Sequence, residues 1–249
     1  MDFLRSEGYV SLGPTCLPAE ILKAGELRSC TFGFDWFRSG EHFIRKFLSS
    51  SDSSRFVDDC VLNPHIPLVQ SAYPDVFNSH TAEIAKAPTL YGFDYLYNPH
   101  RPLYDLDTHA YFYRAFQRLS RFIREPTALK HFFVADYTNK LHHTFFHDPY
   151  HVMKSMRMLL ESSLITTFDI TLLRLELADD RCCFNVYSPH DVISVTEPFY
   201  NCPELSDRLV TVSVSSSLLD NPEYRTRMYK SFAKRLFPAN VLPLWSPDC

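Results

Sequence analysis

Apolar residues change their spacing several times along this chain, and the spacing assigns most of its elements. Thr108–Arg124 places Phe112, Phe116, Leu119 and Ile123 on one helical face and Arg114, Arg118 and Arg121 on the opposite one, which predicts an amphipathic helix. Pro222–Leu236 repeats Tyr224, Met228, Phe232 and Leu236 every four residues and predicts a second long helix. Glu41–Leu48 reads as a short helix, and Tyr150–Leu164 as a Met- and Leu-rich helix suited to core packing rather than to a cofactor or partner surface. Compact apolar or alternating runs predict strands at Tyr9–Leu12, Leu90–Phe93, Tyr95–Tyr97, His131–Ala135, Phe168–Leu175, Cys182–Tyr187 and Arg208–Val214. Ser49–Ser54 reads as a surface loop, and Asn63–Pro88 is too broken by proline to assign. Strands interleaved with helices, with no repeat and no linker, predict one α/β domain over residues 1–249, a central mixed sheet flanked by helices.

The junction of the first strand with the next helix carries the most chemistry. Val10-Ser11-Leu12-Gly13-Pro14-Thr15-Cys16 ends an apolar run in Gly-Pro, and Leu17, Ile21, Leu22 and Ala24 then set up a helix over Thr15–Ala24 with Gly25 as its stop. A thiol in the first turn of a helix faces backbone N–H groups and the positive end of the macrodipole, and both favour the nucleophilic thiolate. The competing reading makes Cys16 a small buried hydrophobe, the usual fate of a cysteine outside a disulfide.

Composition narrows the classes. The aromatic fraction is high at 15%, with Phe 21 and Tyr 14, and glycine is scarce at 6. Neither a G-x-G-x-x-G nor a Walker A pattern occurs, so a glycine-rich phosphate loop is not expected. A net charge of -4 and a pI near 6.2 give no basic field for nucleic acid. No apolar run approaches the length of a membrane span, and no membrane partner is expected. The seven cysteines (Cys16, Cys30, Cys60, Cys182, Cys183, Cys202 and Cys249) are odd in number and include a vicinal pair. With no secretory pattern at Met1–Gly8, they point to a reducing, cytoplasmic compartment. There is no C-x-x-C and no zinc-finger spacing, so neither a metal nor another cofactor is expected. His147 and His151 are four apart, but Pro149 between them argues against a shared helical face and for a hydrogen-bonding loop.

Ser11-Leu12-Gly13-Pro14-Thr15-Cys16 followed by Phe32-Gly33-Phe34-Asp35-Trp36 resembles the opening of a bacterial and viral family described as papain-like cysteine peptidases. That family begins with an "SLG-x-x-C" element and has "PFDW" shortly downstream. His100 stands where the family has a histidine, and the region from Tyr113 to Ala135 resembles its "RRI-x-RF … LFVR" stretch. The sequence departs from the pattern at Arg101-Pro102, where the family has Asp-Phe, at Gly33, where it has proline, and at Ala135, where it has arginine. The resemblance implies a thiol hydrolase acting on a peptide, amide or thioester.

A cysteine hydrolase needs a thiolate, an imidazole within reach, a group that orients the imidazole, and donors for an oxyanion. The candidates are Cys16 as nucleophile, His100 as base with His190 in reserve, and Asp35 to orient the histidine. Asp35 lies among Phe32, Phe34, Trp36 and Phe37, where a carboxylate needs a partner; backbone N–H groups in a tight turn would serve as well as an imidazolium or an arginine. Trp36, Arg114 and Arg118 are the candidate substrate-binding residues. Two other classes remain open: a carbohydrate-processing enzyme such as a glycosyltransferase, its arginines meeting a nucleotide-sugar diphosphate, and a non-catalytic binding module. The sequence leaves the oligomeric state open.

Overall fold

In chain order the elements are β1 (Ser6–Leu12), α1 (Leu17–Ala24), β2 (Arg38–Ser39), α2 (Glu41–Leu48), α3 (Ser53–Phe56), a π-helical turn over Val57–Val61, β3 (Ile84–Thr89), β4 (Gly92–Tyr97), α4 (Leu106–Arg124), β5 (Ala128–Thr138), α5 (156–162), β6 (Phe168–Ala178), β7 (Val195–Pro198), β8 (Arg208–Ser215) and α6 (Pro222–Leu236). They come from a computed structural model that describes residues 5–12, 16–39, 41–62, 84–89, 92–97, 105–138, 156–162, 168–178, 195–198, 208–215, 221–237 and 242–246.

The central sheet is mixed, in the order β1-β5-β6-β8-β7. β1, β5, β6 and β8 run parallel, and β7 is antiparallel to β8. A smaller antiparallel sheet has the order β2-β4-β3. Of the strand expected over Leu90–Phe93, Gly92 and Phe93 fall in β4, which also contains Tyr95–Tyr97, and residues 90 and 91 lie outside the described residues. The strand expected over Cys182–Tyr187 lies outside the described residues.

Both faces of the central sheet are covered, so its inner strands read as apolar runs rather than alternating ones. On one face Val10, Phe132, Val134, Ile170 and Leu172 pack under α4 and α5. On the other, Tyr9, Phe133, Leu173 and Val212 pack against α1 and α6. The first layer is rich in aromatic side chains. Phe34, Phe47, Phe56 and Phe116 meet ring to ring at 5.1 to 6.1 Å, mostly edge to face.

Local signals set the helix ends. Asn221 accepts from the N–H groups of Glu223 and Tyr224 and starts α6, and Asp105 accepts from Asp107 and starts α4. α1 ends at Ala24 with Gly25 as its C-cap, as expected. Gly25 keeps a helical φ of -83°, and the left-handed residue is Glu26, with φ 58°. Leu27 N–H reaches Leu22 O and Glu26 N–H reaches Lys23 O, the two bonds of a Schellman motif whose left-handed residue is Glu26 rather than a glycine. Gly25 serves packing instead, since a Cβ there would lie 2.2 Å from the Ala233 Cβ of α6.

Among the described residues, no helix is long and apolar enough to cross a membrane.

Candidate functional site

Cys16 sits where the sequence places it, between the carboxyl end of β1 and the amino end of α1. It is the N-cap residue of α1, with φ -77° and ψ -3°, and its carbonyl accepts from Glu20 N–H at 3.0 Å. The thiol makes no cap hydrogen bond and is half-buried. Two influences oppose each other at the sulfur. The start of the helix favours a negative charge, while the Glu20 carboxylate, 3.9 Å from Sγ, accepts from the thiol and favours its protonated form. Pro18 in the first turn supplies no N–H, which removes one of the backbone donors expected to hold an oxyanion.

Asp35 is 1% exposed, and its carboxylate is occupied. Ser11 Oγ donates to Oδ1 at 2.6 Å, Phe32 N–H donates to Oδ2 at 2.9 Å, and Arg28 Nη2 lies 3.1 Å from Oδ2. Burial pushes the Asp35 carboxyl up, and Arg28, Ser11, the Phe32 N–H and Arg118 pull it back. Among the described residues its partners are the Ser11 hydroxyl, the Phe32 N–H and the Arg28 guanidinium. Arg28 was not singled out from the sequence. Its guanidinium also donates to Thr31 Oγ1 at 3.0 Å and Ala19 O at 3.3 Å, and lies 5.5 Å from the Trp36 ring centroid. The clamp therefore ties the carboxyl end of β1, the helix carrying Cys16 and the turn at 33–36 together.

The three expected substrate-binding residues separate. Trp36 is half-buried beneath Arg28, within reach of this group. Arg118 is half-buried and turns inward, its Nε donating to Thr31 O at 3.0 Å. Arg114 stays exposed on α4. Cys30 lies near Arg28, Arg118 and Asp35, and burial pushes its thiol up. Cys60 is buried in the aromatic layer and pushed up for the same reason. Cys16, Cys30 and Cys60 form no disulfide.

His100, His190, His147 and His151 lie outside the described residues, so the base of the expected trio has no described position. Among the described residues, no group of three or more His, Cys, Asp or Glu side chains is arranged to hold a metal ion. A cleft of about 320 Å³ opens at the carboxyl end of α4, between Arg121, Arg124 and Trp245, and Cys16 is not among its lining residues.

A second polar set is buried at the opposite, amino-terminal half of the parallel strands. Glu7, His131 and Asp169 come from adjacent strands β1, β5 and β6 and are 3%, 9% and 6% exposed. The available sequence signal was a polar side chain at an inward position of an otherwise apolar strand.

No family model, no curated protein and no solved structure matches this chain.

Proposed function

We propose that the chain is a thiol-dependent hydrolase or acyl transferase, similar to papain-like cysteine peptidases, with Cys16 as its nucleophile. The observation that supports this most is the half-buried thiol at the amino end of α1, uncommitted to capping, where a helix terminus favours thiolate. His100 acts as base and takes the thiol proton. The sulfur attacks the carbonyl carbon of a peptide, amide or thioester, forming an S–C bond. The leaving amine or thiol departs with the proton held by His100. Water, or a second nucleophile in the transferase case, gives up a proton to the same imidazole and releases the acyl group from sulfur. Asp35 holds Arg28 and the Trp36 turn beside α1, and it is the carboxylate proposed to orient His100.

Acylation by p-nitrophenyl acetate tests this reading, with the site of acetylation located by peptide mass mapping. The expected result is acetyl on Cys16, with Cys30 and Cys60 unmodified, and a rate lowered about 100-fold or more in His100→Gln, the size of a general-base contribution. Acetyl spread over the cysteines in proportion to exposure contradicts it. A glycosyltransferase or binding module predicts that Cys16→Ala leaves the protein's activity or binding intact.

A further inference from the structure

The segment 242–246 lies along the outer edge of β1 as a short strap. Glu7 holds it through both backbone groups: Glu7 N–H donates to Pro243 O at 3.0 Å, and Trp245 N–H donates to Glu7 O at 2.7 Å. Its side chains alternate across the edge, Leu244 packing with the α1 and α6 layer and Trp245 with the aromatic layer against Phe32 and Phe122. Ser29 Oγ donates to Trp245 O, which links the strap to the segment bearing Arg28 and Cys30.

The side chain of that same Glu7 faces His131. The imidazole Nδ1 is 2.7 Å from Asp169 Oδ2, so it donates there. Nε2 is buried, has no hydrogen-bond partner among the described residues, and lies 3.7 Å from Glu7 Oε2. In the neutral ring this atom turns a lone pair toward a carboxylate; a second proton converts the repulsion into an ion pair. Among the described residues, the groups facing the ring are Glu7 and Tyr9 of β1, the latter stacked on it at 4.5 Å, and Asp169 of β6. Tyr9 donates to Glu7 Oε1 at 3.3 Å, and Phe237 at the end of α6 closes the far side of Tyr9. Lys130, the neighbour along β5, points to the other face and donates to Glu125 O and Ala128 O.

We propose that His131 is a proton-operated latch for the strap, closed when the doubly protonated ring bridges Glu7 and Asp169 and loosened when the ring gives up its Nε2 proton. The coupling runs through one residue, since Glu7 offers its side chain to the ring and its backbone to the strap. Loosening uncovers the Trp245 indole and opens the cleft that Trp245 lines with Arg121 and Arg124.

Trp36→Phe leaves Trp245 as the sole tryptophan, and its emission and acrylamide quenching are followed from about pH 5 to 8. The expected result is a red shift and stronger quenching as pH rises. The same titration on Trp245→Phe, which reports Trp36 alone, stays flat. Glu7→Gln abolishes the transition with the strap closed throughout, because an amide N–H can donate to the neutral Nε2. A flat Trp245 signal, or an unchanged transition in Glu7→Gln, overturns the proposal. Circular dichroism of each variant separates loss of the latch from loss of the fold.

Discussion

Asp35 shows how an acid among aromatic residues is reconciled with burial. Its two oxygens take one hydroxyl, one backbone N–H and one guanidinium, and the Arg28 side chain is itself 10% exposed. Removing one partner of such a pair strands the other charge, which costs far more than the pair contributes as a unit. Asp35→Ala is therefore expected to lower unfolding free energy by about 3–5 kcal/mol in urea titrations, a loss that Asp35→Asn reduces by keeping the Ser11 contact. Lys130 is a second buried charge, 0% exposed with two backbone carbonyls on its ammonium. Burial pulls its pKa from 10.5 down to about 8, while Glu125 pulls upward. Between those two values the unfolded chain holds the extra proton, so stability rises with pH across that window and is level below it. Lys130→Met removes that rise, and urea midpoints measured at intervals from pH 8 to 10.5 check it.

At the scale of elements, glycine marks where pieces of the fold approach each other. A Cβ at Gly25 would meet the Ala233 Cβ at 2.2 Å, so α1 and α6 cross there with no room for a methyl group. Gly25→Ala is expected to cost about 1–3 kcal/mol through overpacking, and Ala233→Gly in the same chain recovers part of it; thermal unfolding of the two single variants and the double variant measures the coupling. Gly33 has the same character, because a Cβ there would sit 2.3 Å from the Phe116 ring. This gives a physical reason for glycine at position 33. Helical periodicity made α2 and α6 legible from end to end, since Glu41–Leu48 and Pro222–Leu236 carry their own signals. β1 was found only from Tyr9 onward, because Glu7 and Gly8 interrupt the apolar run from which a strand is read. Glu7 is paired through its backbone and its side chain to residues more than a hundred positions away, and no local window contains them.

For the molecule as a whole, alternating strands and helices made the α/β layering readable, and the order β1-β5-β6-β8 follows the chain steadily across the sheet. What local pattern did not give is how distant segments meet. Ser11, Arg28 and Asp35 are 24 residues apart at their widest, yet they form one clamp that also reaches the Ala19 carbonyl of α1. The strap at 242–246 covers the edge of β1, although its pairing residues carry no strand-like run of their own. The central claim about function rests on the ionisation of one sulfur. Alkylation by iodoacetamide, resolved by peptide mass mapping at a series of pH values, tests it most directly, with Cys30 as the internal comparison because burial pushes that thiol up. The expected result is that Cys16 labels faster than Cys30, with a rate that levels off well below the ordinary thiol value of about 8.5. A Cys16 rate that keeps rising through about pH 8.5, in step with a free thiol, contradicts the claim.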